Sequence, residues 1–179
     1  MSFLQVSGKT YLVVGFANKK SIAWSVAQLL EEEGARVIHC VRNQKRKEEL
    51  EGLIGSGIIL TCDFEDVSQV EQLGRSIKEL AQDPLSGVLH SIAFANYADG
   101  LKPFHETDRA DFLQATQISS FSLIELARAC KASLARDASF VTIGISSTEV
   151  TAENYGYMAP IKASLEASVR YLAKSFSAD

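Results

Sequence analysis

Cysteine is scarce in the 179-residue chain: Cys40, Cys62 and Cys130 stand far apart, with no CxxC pair. A structural zinc site is therefore not expected. His39, His90 and His105 show no ligand spacing either, so no metal is expected; the first two fall in strand-like runs and the third in a polar loop. The stretch Met1 to Gly8 lacks the basic and apolar blocks of a secretory signal. An odd number of scattered cysteines in such a chain points to reduced, buried thiols and a cytoplasmic protein. No apolar run approaches the roughly 20 residues of a membrane helix, so no membrane partner is expected. Positive charge is not in excess: 18 Lys and Arg stand against 22 Asp and Glu, for a net charge of −4. That balance gives no reason to expect nucleic-acid binding. There is no linker, low-complexity segment or internal repeat, so residues 1–179 read as a single domain.

What is present is an alternation of strand and helix patterns, with a hydrophobic share of 46% to build a core. Thr10 to Val14 is a short apolar run that ends at Gly15, as a buried parallel strand does. Ser21 to Glu33 follows with Ile22, Val26, Leu29 and Leu30 at helical spacing, Ser21 as N-cap and Gly34 as stop. Further strands are expected at Arg36 to Val41, Gly57 to Cys62, Gly87 to Phe94 and Ser139 to Ile145. Helices are expected at Gln44 to Leu53, Val67 to Ala81, Asp108 to Leu134 with a break near Ile118–Ser119, and Met158 to Phe176. This order implies an α/β, Rossmann-type, doubly wound parallel sheet with helices on both faces.

In such a sheet ligands sit beyond the carboxyl ends of the strands. The first of these ends is Gly15 to Ala23, with a helix beginning near Ser21 whose free N–H groups and dipole favour a phosphate. Gly15 allows the sharp exit from the strand, and Lys19 and Lys20 add positive charge. The G-x-G-x-x-G fingerprint is absent, so an ordinary βα loop fits this turn equally well. At the end of the second strand an NAD-preferring site carries an acidic residue. Here the stretch Val41 to Lys47 has no acid and four cations, and Arg42 with Lys45 or Arg46 would suit a 2′-phosphate; the plain alternative is a solvated helix face. Asp63 ends the third strand and would accept the adenine amino group, with Phe64 flanking the base; loop polarity and a core contact explain the two equally well.

Tyr155 and Lys162 are seven residues apart, about two helical turns, and would share a helix face. A tyrosine beside a lysine can donate a proton or hydrogen bond to an oxygen that gains negative charge. Lys162 could also bind ribose hydroxyls. Without context, a chance register of a surface lysine and a half-buried tyrosine is the commoner explanation. Tyr157 is a rival, at a poorer spacing of five. Pro160 is consistent with a helix that begins nearby.

Together these residues resemble the bacterial enoyl-acyl carrier protein reductases, a branch of the short-chain dehydrogenase/reductase superfamily. The matching stretches are Gly15 to Trp24, Cys62-Asp63, His90 to Asn96, Ile118 to Phe121 and Asn154 to Leu172. The G-x5-S-I-A turn and the Tyr-x6-Lys pair are the specific ones. The resemblance implies that Gly15, Ser21 and Ile22 line the pyrophosphate and ribose. It implies Arg42 beside the adenosine ribose, Asp63 and Phe64 at the adenine, and Ser91, Ile92 and Ala93 under the cofactor. Ala95 would touch the acyl thioester, Lys162 the nicotinamide ribose and Tyr155 the thioester carbonyl. The implied reaction is reduction of a trans-2-enoyl thioester on acyl carrier protein, with NADPH or NADH as cofactor and a lean to NADPH from Arg42. The implied assembly is a homotetramer.

Three departures accompany the resemblance. Ile145, followed by Ser146-Ser147, stands where many members carry another tyrosine, and those serines look more like other short-chain reductases. Gly156-Tyr157 and Pro160 are unusual inside the motif. The chain stops at Asp179, where the family continues with further strands and a substrate-covering lid, so a fragment lacking those parts is expected. The alternatives are a 3-ketoacyl (carbonyl) reductase of the same superfamily and a dinucleotide-binding module without turnover.

Overall fold

The computed structural model describes residues 4–54, 57–80, 83–149, 151 and 155–177. It divides into two compact units, Met1–Ser91 with Leu126–Thr142, and Ile92–Glu125 with Ile143–Asp179.

The first unit is built on a five-stranded parallel sheet. Its strands are β1 (Thr10–Val14), β2 (Arg36–Val41), β3 (Ile58–Thr61), β4 (Leu85–His90) and β5 (Leu134–Thr142), in the order β3-β2-β1-β4-β5. The apolar runs form strands because parallel strands are covered on both faces. Leu12 and Ile38 are fully buried, and β2 is buried from Val37 to Val41. The connecting helices are α1 (Ile22–Glu32), α2 (Gln44–Ile54) and α3 (Val67–Leu80). Strand order reverses at β1 and β4. With right-handed crossovers, α1 and α2 fall on one face and α3 on the other, which is the doubly wound Rossmann arrangement. Phe16, Val41, Leu50 and Ile59 make a core cluster beneath Trp24 and Ile54. Leu50 is the buried residue of an otherwise charged α2.

Three details differ from the expectations drawn from sequence. The buried face of α1 is Ala23 and Ala27, while Ile22 and Leu29 are 52% and 49% exposed. Small side chains let the helix approach the sheet closely, and hydrophobicity alone does not report that. β4 runs from Leu85 to His90, not from Gly87 to Phe94. β1 ends at Val14, so after the Ser91 N–H to Val14 carbonyl bond (3.0 Å) the chain has lost that neighbour. β5 runs from Leu134 to Thr142, not from Ser139 to Ile145, and its last partner is His90.

The second unit is mainly helical. α4 (Arg109–Thr116) passes through a π-helical turn, Gln117–Phe121, into α5 (Ser122–Cys130), of which residues up to Glu125 belong to this unit; the turn is the break expected near Ile118. Asp108 caps α4 by accepting from the backbone N–H groups of Ala110 (2.7 Å) and Asp111 (3.3 Å). α6 (Met158–Phe176) buries Met158, Ile161, Lys162 and Leu165, the spacing of one helix face. Pro160 lies in its first turn, where its missing N–H costs no helical bond. Among the described residues no helix is long and apolar enough to cross a membrane.

Candidate active site

In the first unit the carboxyl ends of β1 and β4 lie side by side at the point where strand order reverses. Gly15 leaves β1 with φ +108°, a conformation that a side chain would strain. The Ser21 hydroxyl does not cap α1; it donates to the Asn18 carbonyl at 2.7 Å. The first-turn N–H groups of α1 thus have no side-chain cap, and the helix dipole adds to them. Exposed Ile22 stands at this end, and Ser91 follows β4. Glycine exit, uncapped N–H groups and a switch point together fit a diphosphate.

Arg42 extends from the end of β2 and is bound in a fork. Its Nε donates to Asp63 Oδ2 at 3.1 Å and its Nη2 to Glu65 Oε2 at 2.9 Å. Asp63 Oδ1 accepts the Glu65 N–H at 3.1 Å. The structure therefore joins Arg42 and Asp63 with a third residue, Glu65, that sequence reading missed. Phe64 is 5% exposed, so its ring belongs to the core, and what it offers an adenine is backbone.

In the second unit Tyr155 does not lie on α6. Gly156 has φ +53° and breaks the helical path, and the N-cap of α6 is Tyr157. Tyr155 and Lys162 therefore do not share a helix face, although both residues belong to this unit. Lys162 is 3% exposed, its Nζ donates to the Ile143 carbonyl at 2.7 Å, and burial lowers its pKa below the ordinary lysine value. Tyr155 and Ala95 pack half-buried against a cluster of Ala115, Tyr157, Met158 and Ile161. Tyr157, the rival tyrosine, is buried, and its hydroxyl donates to the Asn96 carbonyl at 2.9 Å.

The loop of Ile92, Ala93 and Ala95 is clamped by buried Ser119, whose Oγ accepts from the Phe94 N–H (2.8 Å) and donates to the Phe94 carbonyl (3.0 Å). Beyond it a small open cleft is lined by Asn96, Tyr97, Leu101, Lys102, Asp111 and Tyr157, among others. Sequence reading singled out neither Ser119 nor Tyr97. The only signal was the Ile-Ser-Ser-Phe stretch for the first and a position just past the β4 run for the second.

The sheet and its switch point define a Rossmann-type dinucleotide fold. A profile of the enoyl-(acyl carrier protein) reductase family matches residues 15–179. The NADPH enoyl-[acyl-carrier-protein] reductase FabI of Staphylococcus aureus is 37% identical over 185 residues, covering 98% of this chain and 70% of that protein. The NADH enzyme of the same name from Bacillus subtilis is 37% identical over 173 residues, covering 94% of this chain and 67% of that protein. The crystal structure of FabI from Candidatus Liberibacter asiaticus superposes with a TM-score of 0.90 at 31% identity, over 97% of this chain and 68% of that one. The chain belongs to the enoyl-(acyl carrier protein) reductase family.

Proposed function

We propose that this chain acts in fatty acid biosynthesis as an NAD(P)H-dependent reductase of trans-2-enoyl thioesters carried on acyl carrier protein. The observation that carries the reading is the second unit's placement of Tyr155 on the Ala115–Met158–Ile161 cluster, seven residues before a buried lysine. In this reading Gly15, Ser21, Ile22 and Ser91 hold the diphosphate and its riboses, and Arg42, Asp63 and the Phe64 backbone hold the adenosine end. Ile92 and Ala93 support the nicotinamide end, and Lys162 binds its ribose. The reduced nicotinamide, when bound, supplies a hydride to the β-carbon of the enoyl group. The Tyr155 hydroxyl donates a hydrogen bond to the thioester oxygen as that oxygen takes on enolate charge. Lys162 adds positive charge to the same unit. On binding the ribose its ammonium would give up the Ile143 carbonyl for a ribose hydroxyl. Ala95 presents a small surface to the acyl thioester, and protonation at the α-carbon completes the saturated product.

The same reading makes the protein a cytoplasmic homotetramer. Its three cysteines, all buried free thiols, support the compartment. The exposed Val169 and Tyr171 of α6 support a face covered by a second copy. A 3-ketoacyl reductase is the second reading, favoured by Ile145 and the serines after it.

The test follows oxidation of NADPH and NADH by the intact gene product, with crotonyl and 3-ketoacyl thioesters in parallel. Enoyl turnover that falls about 100-fold or more in Tyr155→Phe is the expected result. Turnover of the ketoacyl thioester alone supports the second reading, and enoyl turnover unchanged in Tyr155→Phe removes the catalytic assignment.

A further inference from the structure

Two loops of the second unit hold each other through their own tyrosines. Tyr97 Oη donates to the Tyr155 carbonyl at 2.9 Å, and Tyr157 Oη donates to the Asn96 carbonyl at 2.9 Å. Each phenol thus bonds the backbone of the opposite loop, beside the opposite tyrosine. The rings of Tyr97 and Tyr157 are tilted by 51° with centroids 5.0 Å apart, and Phe112 flanks Tyr157 at 6.2 Å.

Gly156 is shaped to this contact. Its φ of +53° turns the chain between Tyr155 and Tyr157, and a Cβ there would stand 2.9 Å from Tyr97 Oη and 3.2 Å from Leu101 Cδ2. The departures from the family motif at Gly156 and Tyr157 therefore form one device with Tyr97. Burial pushes the pKa of both phenols above the ordinary tyrosine value, which keeps them protonated donors at neutral pH. The neighbouring Tyr155 phenol pushes Tyr97 in the same direction.

We infer that Tyr97 is a positioning residue for Tyr155 in the reductase reaction, acting through the hydrogen bond from its hydroxyl to the Tyr155 carbonyl. The inference rests on the assignment of Tyr155 made above. Tyr155 precedes α6, so the helix does not set its side-chain direction; the clasp ties its peptide to the loop that carries Ala95. A displacement of about 1 Å at a reacting group can cost on the order of 100-fold in rate.

The experiment measures turnover of crotonyl thioester by the intact gene product, Tyr97→Phe, Tyr155→Phe and the double variant, with high enzyme concentrations for residual rates. Tyr97→Phe removes one hydroxyl and keeps the ring. Phenylalanine at 155 keeps the carbonyl that Tyr97 bonds, so the clasp is intact in that background. Tyr97→Phe is expected to lower kcat about tenfold and leave KM for the cofactor within about twofold. Added to Tyr155→Phe, it is expected to cost less than about twofold more, because there is no longer a hydroxyl to aim. Wild-type kcat in Tyr97→Phe overturns the inference, and so does an equal loss in both backgrounds, which is the mark of a residue that only supports the fold. Gly156→Ala drives a Cβ at Tyr97 Oη, and its loss is expected to vanish in the Tyr155→Phe background as well. Should Tyr97→Phe fail to fold, that variant decides by the same criteria. Full turnover in Tyr155→Phe alone removes the assignment of Tyr155, and the inference with it, a result distinct from an inert Tyr97→Phe.

Discussion

Replacing Glu65 by glutamine is expected to shift the chain's preference toward NADPH. In the proposed site Arg42 is the residue that meets a 2′-phosphate, and it is found bound to two carboxylates, Asp63 at 3.1 Å and Glu65 at 2.9 Å. The side chains are 51% exposed for Arg42 and 30% exposed for each acid, so each pair is worth about 0.5–1 kcal/mol. Glu65→Gln weakens one partner that the phosphate must displace. It also removes a carboxylate that repels the phosphate, an effect of about 0.5–1 kcal/mol in this exposed setting. The two act in the same direction and total about 1–2 kcal/mol, or roughly 5- to 30-fold in affinity. NADH lacks the 2′-phosphate and is expected to change by less than about twofold. Dissociation constants for both nucleotides, from nicotinamide fluorescence at low and high salt, test this without turnover. The gain is expected to shrink as salt rises. An NADPH-to-NADH affinity ratio that does not move, or moves toward NADH, would refute the argument that Glu65 holds Arg42 back.

Three further outcomes follow from particular contacts. Ser119→Ala removes both of its hydrogen bonds to the half-buried Phe94 backbone and is expected to cost about 1–3 kcal/mol in a urea titration; a loss under about 0.5 kcal/mol contradicts the clamp. Burial pushes the Cys130 thiol up to about 12 and Cys40 well above its ordinary value, so no thiol is expected to alkylate in the native protein at pH 8, and all three in denaturant. Rapid native labelling would contradict that packing. Lys162→Met is expected to reduce enoyl turnover about 100-fold while changing the pH dependence of stability. The folded pKa of Lys162 lies below the 10.5 of an ordinary lysine, so between the two values the unfolded chain binds more protons and stability rises with pH. Wild-type stability should therefore gain on the methionine variant as pH rises through that window, and parallel curves would show that Lys162 is not desolvated.

Much of the frame was legible because local chemistry marks it. β1 begins and ends at Thr10 and Val14, β2 at Arg36 and Val41, and α6 at Met158 and Phe176, as the apolar runs and periodicity indicate. Ser21 and Gly34 bracket α1, because caps and left-handed glycines are short-range signals. The limits of β4 and β5 were not legible, since a strand stops where its neighbour stops and Ile92, Phe94, Ile143 and Ile145 stay apolar for other reasons. The buried face of α1 was misread because alanines at close contacts carry little hydrophobic signal.

By itself, then, the sequence determined the α/β order, the glycine turn ahead of a helix that begins after Ser21, and the spacing of Tyr155 and Lys162, whereas the missing Ser21 side-chain cap emerged only from the structure. Those features depend on residues within a turn or two of one another. Tertiary structure alone decided that Arg42 is shared by Asp63 and Glu65, that Tyr155 sits before α6 rather than on it, and that Tyr97 reaches its carbonyl. The first and last depend on side chains 21, 23 and 58 positions from their partners, which meet only when packing and chain crossovers bring them within hydrogen-bond distance, and the second on the positive φ that Gly156 adopts.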